Sequence, residues 1–420
     1  MSRQLLHTPE GVRDIYSGEC ARKTAVEEKI RKVFHLYGYE DIETPIFEFF
    51  DIFKKERGSV GTQEMYKFFD RYNNTLVLRP DMTPSIARCV AKYDMDETGP
   101  LRFSYLGPTF INRASYQGRL SEVTQTGVEL IGDDSSDADA EMIAMVIDAL
   151  KASGLREFQV ELGQVEFYRG LVEEAGLDEE TQEELRELIE MKNYFGVEEL
   201  LNAQTMPEHL KKVILKLPEL FGDITQIRLA RTMTQNERAL KAIDRLEKVQ
   251  EILDTYGLGD YVSYDLGMLS KYSYYTGIIF KAYTYGTGEY LVTGGRYDKL
   301  LVQFGKDTPA VGFAIVIDQL MLALSRQKIE TPVSRVNTII LYEASARKHS
   351  ILLASYFRGR QIPVQLIRMR AGQELENYYE YASRRSIRNV LFLKGDGEQV
   401  SIHDMVNGTT DTIAFSDYVH

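Results

Sequence analysis

Cysteine is nearly absent: the 420 residues hold two, Cys20 and Cys89. Two thiols cannot build a disulfide framework or, by themselves, a metal site, and their scarcity fits a reducing cytoplasm. No run of about 18 or more apolar residues occurs, which leaves no candidate for a membrane-spanning helix. Residues 1–19 mix charge, Pro9 and Gly11 with few apolar side chains, so no signal peptide is expected there. Low-complexity tracts and any repeat period are also missing, which excludes a solenoid. Positive charge is in deficit, with 50 Lys and Arg against 63 Asp and Glu. The deficit is uneven: residues 333–420 balance at +2 and residues 1–332 at −15. An acidic body repels phosphate backbones, so nucleic acid is not an expected partner unless a local basic patch intervenes.

What is present describes a globular chain of two or three domains, 44% hydrophobic and 27% charged. Val26, Ile30, Val33 and Phe34 recur at helical spacing and predict a first helix over 20–37. An extended stretch over 39–50 follows, then a short strand over 75–79 stopped by Pro80, with Pro84 near the start of the next helix. Residues 101–110 and 123–131 read as two antiparallel strands joined by a polar loop around Gly118. Residues 137–153 read as an amphipathic helix capped by Asp137. The stretch 170–256 is rich in Glu, Leu, Lys and Gln, and its short helical segments are expected to break at Gly196, Pro207 and Pro218. We read it as a helical insertion. Strands are expected again over 273–285, 290–293 and 310–317, with a helix through Leu324. A core over 1–327 and a linker over 328–335 then precede a separate α/β unit over 336–420. There, strands at 338–342, 364–367 and 389–393 alternate with helices at 348–358 and 375–385 and predict a small parallel sheet.

Four segments carry chemistry. In Leu78-Arg79-Pro80-Asp81-Met82-Thr83-Pro84, a strand ends in a carboxylate and a hydroxyl that can hold an ammonium or a ring N–H, or simply cap a helix. In Thr124-Gln125-Thr126-Gly127-Val128-Glu129, the alternation of a strand puts Gln125 and Glu129 on one face with Gly127 leaving room between them. That pair would clamp an amino group, or form the exposed polar face of a sheet. In Ser270-Lys271-Tyr272-Ser273-Tyr274-Tyr275-Thr276-Gly277, consecutive tyrosines on a strand would point to opposite faces, one to a pocket and one to the core. β-propensity alone also favours Tyr there. In Thr293-Gly294-Gly295-Arg296-Tyr297-Asp298, paired glycines allow close backbone approach to a ligand, or a hairpin turn.

The order and spacing of these segments resemble the catalytic core of class II aminoacyl-tRNA synthetases, and within that class the histidine-specific enzymes. The resemblance runs from Thr8-Pro9-Glu10-Gly11-Val12-Arg13-Asp14 to the C-terminal unit, and the Tyr274–Gly277 and Gly294–Asp298 segments are its most specific parts. It implies an α+β fold: an antiparallel sheet flanked by helices, with a helical insertion and a C-terminal anticodon-binding-like α/β domain. It also implies a histidine pocket formed by Asp81, Thr83, Gln125, Glu129, Tyr274, Tyr275 and Tyr297. Asp81 stands where the synthetases commonly carry Glu.

The departures fall on the chemistry. Adenylate formation needs cations around the phosphates of ATP. Where the family places an Arg after the Phe of its second class motif, this chain has Ile111, and the Glu two residues further on is Arg113. The Arg expected five residues before the second Tyr of Tyr-Tyr is Ser270, and the Arg closing the third motif is Gln319. Losing one such contact costs about 10²–10³ in rate, so no catalytic residue is assigned. A synthetase core without these cations but with its pocket retained resembles the regulatory subunits of ATP phosphoribosyltransferase. That resemblance implies a non-catalytic role in the first step of histidine biosynthesis and a hetero-octamer with a short catalytic subunit. It also implies self-association as a dimer, histidine as ligand, and no cofactor or metal. Many members lack the C-terminal unit, so its presence is a departure. An active histidyl-tRNA synthetase and a freestanding histidine-sensing paralogue are the alternatives.

Overall fold

The computed structural model describes residues 6–53, 60–113, 119–269, 274–333 and 336–418. The loop around Gly118, Ser270, Lys271 and Arg335 lie outside the described residues. Two compact units divide between Thr331 and Pro332.

The first unit is built on a nine-stranded sheet. Its centre is antiparallel: Leu101–Phe110, Glu122–Ile131, Ala310–Val316, Val292–Arg296, Ile278–Tyr283 and Gln159–Gln164 follow one another across it. Parallel pairs flank that centre, with Glu40–Asp41 beside Leu101–Phe110 and Val262–Asp265 beside Gln159–Gln164. The short edge strand Phe221–Gly222 closes the far side. The fold class is therefore the expected one, with a mixed rather than purely antiparallel sheet.

The helix expected over 137–153 runs Ser136–Ser153, and its cap is Ser135, not Asp137. Ser135 is extended, and its hydroxyl accepts from the Ala138 N–H at 3.1 Å. Asp137 and Asp139 instead sit in the first turn, where carboxylates suit the helix dipole. The helix is also not amphipathic in use. Met142 through Ile147 are all fully buried, because the helix lies against the helices Ser17–Leu36 and Glu237–Thr255 and the strand Ala310–Val316.

The insertion is helical, with Glu179–Glu190, Tyr194–Asn202, Glu208–Lys216, Ile224–Met233 and Glu237–Thr255 in sequence. Gly196 does not break it. The interruption falls at Asn193, whose side chain accepts from the Gly196 N–H and starts the next helix. Pro207 is an N-cap, and Pro218 lies in a single 3₁₀ turn. The strand expected over 273–285 begins only at Ile278, so Tyr274 and Tyr275 precede it.

A three-stranded sheet, with Thr75–Leu78 between Phe47–Phe49 and Lys67–Phe69, leads directly into Arg79, Asp81 and the helix Thr83–Tyr93. Arg79 is 3% exposed and donates to the carbonyls of Thr44, Pro45 and Pro108, which fixes where the next residues point.

The second unit holds five strands in a mixed sheet. Val364–Arg368, Thr338–Tyr342 and Asn389–Leu393 pair in parallel, while Gln399–Asp404 and Thr409–Ala414 add an antiparallel hairpin. The expected all-parallel sheet omitted that hairpin. Its outer strand is exposed at nearly every position, so no apolar alternation marks it in the sequence.

Candidate ligand pocket

The central strand Glu122–Ile131 carries Gln125, Gly127 and Glu129 at alternate positions, so the pleat brings them to one side of the sheet. Its neighbours are set by register: Gly312 lies opposite Glu129 on one side and Phe103 on the other. The glycines are sterically required. A Cβ at Gly312 would collide with the Glu129 carboxylate, and one at Gly127 would meet the Tyr105 hydroxyl and the Phe313 carbonyl.

Above this strand opens a cavity of about 1680 Å³, lined by Asp81, Thr83, Gln125, Tyr274, Tyr275 and Tyr297 among others. Behind the lining sits Glu129, 1% exposed. Thr83 Oγ1 donates to its Oε1 at 2.6 Å, and the Tyr297 hydroxyl donates to its Oε2. All seven residues singled out from the sequence thus meet at one place, although they come from four separate segments. Asp81 lines the cavity, and its carboxylate accepts the Thr83 N–H at 3.1 Å just before the helix, whose N-cap position is Met82.

The tyrosines are arranged differently from expectation. Tyr274 and Tyr275 do not alternate across a strand; both line the cavity, with ring centroids 4.8 Å apart, and Tyr274 meets Tyr297 edge-on at 6.0 Å. The segment is free to do this because it precedes the ladder and is held by other bonds. The Tyr275 carbonyl accepts from Arg169 at 3.0 Å, and the Thr276 N–H donates to the Arg296 carbonyl at 2.8 Å. Burial pushes the phenols of Tyr105, Tyr275 and Tyr297 well above the usual tyrosine range, so they stay protonated donors. Burial also drives the Glu129 carboxyl up to about 8, against the lowering effect of its two hydroxyl partners. Gln125 Oε1 is a buried acceptor with no hydrogen-bond partner among the described residues, and the Gln125 residue lines the cavity.

The positions that depart from synthetases lie on the same cavity. Ile111, Arg113 and Gln319 all line it. Gln319 Nε2 donates to Glu289 at 3.2 Å, and Arg119 pairs with the other oxygen of Glu289 at 2.6 Å. Arg13 is similarly engaged, with Glu19 at 2.6 Å and Asp318 at 3.9 Å. Two cavity-lining arginines, Arg119 and Arg13, are therefore paired with acids of the chain itself. Sequence reasoning missed Glu289 and Asp318 in this role, because nothing in their local pattern signals which distant arginine they meet. Among the described residues, no three His, Cys, Asp or Glu side chains gather in a way that could hold a metal ion.

Fold and pocket together define a protein of the class II aminoacyl-tRNA synthetase type, built like the histidine-specific members. The family model for histidyl-tRNA synthetase matches residues 11–320. A histidyl-tRNA synthetase from Nostoc sp. PCC 7120 shares the fold, with a TM-score of 0.81 over 97% of this chain and 96% of its own, at 19% identity. More similar in sequence is the ATP phosphoribosyltransferase regulatory subunit of Acetivibrio thermocellus, 42% identical over 99% of both chains. That of Ruminiclostridium cellulolyticum is 40% identical over 99% of this chain and 98% of its own. A crystal structure described as an ATP phosphoribosyltransferase regulatory subunit/histidyl-tRNA synthetase from Bacillus halodurans superimposes with a TM-score of 0.84 at 33% identity, covering 93% of this chain and 99% of the other. The chain belongs to the ATP phosphoribosyltransferase regulatory subunits, a family that shares the histidyl-tRNA synthetase fold.

Proposed function

We propose that this chain is a non-catalytic regulatory subunit that binds free histidine in the cavity above Glu129 and passes its occupancy to a separate, short catalytic subunit of ATP phosphoribosyltransferase. The observation that carries the reading is the contrast within one cavity. The polar cluster of Asp81, Thr83, Gln125, Glu129 and Tyr297 is assembled, while Ile111 and Gln319 stand where activating cations belong. Glu129 and the unpartnered Gln125 Oε1 hold the α-ammonium. Tyr275, Tyr297, Asp81 and Thr83 close around the imidazole and the remaining polar atoms. The partner transfers phosphoribose from phosphoribosyl pyrophosphate to ATP, and this chain assembles with it as a cytoplasmic hetero-octamer, pairing with its own copy as a dimer. We read 336–420 as an anticodon-binding-like domain no longer used on RNA.

Calorimetry with L-histidine tests the pocket, and the rebuilt complex tests the regulation. Removing the only carboxylate partner of a buried ammonium leaves a poorly compensated charge. Glu129→Ala should therefore weaken histidine binding at least about tenfold, equivalent to about 1.4 kcal/mol. The complex carrying it should still assemble and turn over but resist histidine. Unchanged binding would remove the pocket assignment, and lost binding with unchanged inhibition would place feedback on the catalytic partner.

A further inference from the structure

Glu129 is a buried carboxyl group with no ion-pair partner among the described residues. The helix start at Asp81–Thr83 presents a hydroxyl and a second carboxylate to it. The strand Leu101–Phe110 contributes the Tyr105 phenol, and the chain after Val292–Arg296 contributes the Tyr297 phenol. The segment before Ile278–Tyr283 contributes the Tyr275 phenol, and Ala310–Val316 contributes only the backbone at Gly312. No Lys, Arg or His among the described residues forms an ion pair with Glu129, and the charged side chain that acts on it, Asp81, is negative and opposes its ionisation.

A carboxylate held in that setting is poorly solvated, and two hydroxyl donors do not replace the water it has lost. A neutral carboxyl fits the same geometry, because a hydroxyl can accept as readily as it donates. The O–H of Glu129 can point at Thr83 Oγ1 while Tyr297 keeps donating to the other oxygen. Gly312 leaves room for the carboxyl, since a Cβ there would overlap Oε2, and Thr83, Tyr297 and the cavity-lining Gln125 separate the carboxyl from the cavity.

We propose that Glu129 is protonated in the empty pocket, and that a ligand ammonium group enters by displacing this proton. The exchange deepens the reading of the cavity as an amine-ligand site and rests on it. The Glu129 O–H bond breaks, the proton leaves to solvent, and ammonium N–H groups take its place on the oxygen. Glu129 together with the incoming nitrogen carries no net charge after the exchange, as the protonated carboxyl carried none before it. This makes Glu129 the group that selects for positive charge: a neutral isostere of the ligand would leave the proton in place and form no ion pair with the carboxylate. It also makes occupancy depend on pH, with affinity rising as the proton becomes easier to remove. The burial that raises the Glu129 carboxyl to about 8 places that dependence across the neutral range.

The test is calorimetry of L-histidine binding to the full chain at about pH 7.5, where the free imidazole is about nine-tenths neutral. It is run in phosphate, HEPES and Tris, whose ionisation heats differ. The expected result is a binding enthalpy that tracks buffer ionisation heat with release of most of a proton per histidine. Affinity should rise close to tenfold per pH unit below the carboxyl's own titration. In parallel, carbon NMR of labelled glutamate δ-carboxyls, with Glu129→Gln identifying the resonance, should show a neutral Glu129 in the free chain at pH 7. Binding heat that ignores the buffer overturns the exchange and leaves the pocket reading standing. An ionised Glu129 at pH 6 in the free chain overturns it whether or not histidine binds. No binding at all, with Glu129 neutral, sinks the pocket reading and the exchange with it.

Discussion

Arg296 and Asp139 form a buried ion pair across 157 residues of sequence: Nε and Nη2 of the arginine donate to one carboxylate oxygen at 2.9 and 2.7 Å. The second oxygen accepts from Arg245 Nε at 2.6 Å. The Asp139 side chain is 0% exposed and that of Arg296 6%. Arg296 directly precedes Tyr297 and receives the Thr276 N–H on its carbonyl, so this pair anchors two sides of the ligand pocket to the central helix. Arg245 ties the insertion helix to the same carboxylate.

Removing one member of such a pair strands the other without compensation. Asp139→Ala should destabilise the first unit by about 3–5 kcal/mol, read in urea melts of the whole chain. Arg245→Ala, at a partly exposed position, should cost far less because water reaches the site. Equal losses from the two substitutions would refute the view that burial sets the cost.

Isolated protein should give no histidine-dependent exchange between pyrophosphate and ATP. The reason is the pair Ile111 and Gln319, the second of which spends its amide on Glu289. With each lost contact worth about 10²–10³ in rate, the combined loss puts activation below a no-enzyme blank's noise. Exchange clearly above that blank would restore the synthetase reading.

Stability should fall as pH rises through the neutral range, and Glu129 is one identifiable cause. Burial raises its carboxyl to about 8 in the folded chain, against about 4.3 when unfolded. Between those values the folded state holds a proton that the unfolded state has released, so each step upward in pH favours unfolding until the folded carboxyl ionises, after which the effect levels off. Glu129→Gln removes the slope. The variant should gain thermal stability over the parent at pH 9 and show no such gain at pH 4. An equal gain at both values would mean the effect is packing and not proton linkage.

The second unit should not bind histidine tRNA at sub-micromolar protein. Arg384, Arg385 and Arg388 are its candidate phosphate contacts; all three are exposed, and Arg388 sits 3.4 Å from Asp404. A salt-dependent gel shift lost on mutating these arginines would overturn the expectation.

Much of the architecture could be read from local pattern. The strands at 101–110 and 310–316 announce themselves by length and apolar content, and Pro84 marks a helix start because its fixed φ suits the first turn. Elsewhere local pattern misled. Asp137 looked like a cap because it is a good capping residue, yet Ser135 occupies the extended position where capping geometry exists. The hairpin of Gln399–Asp404 and Thr409–Ala414 was invisible because its outer face is solvated.

The sequence by itself determined the fold class, the family and which residue types stand at each former catalytic position, because these depend on identity and spacing along one chain. Tertiary structure alone decided charge state and pairing. That Glu129 is buried with no ion-pair partner among the described residues, that Glu289 takes up both Gln319 and Arg119, and that Asp139 meets Arg296 and Arg245 all depend on what the fold brings within a few ångströms. Electrostatic energies vary steeply with distance and burial, and neither is written in the order of the residues.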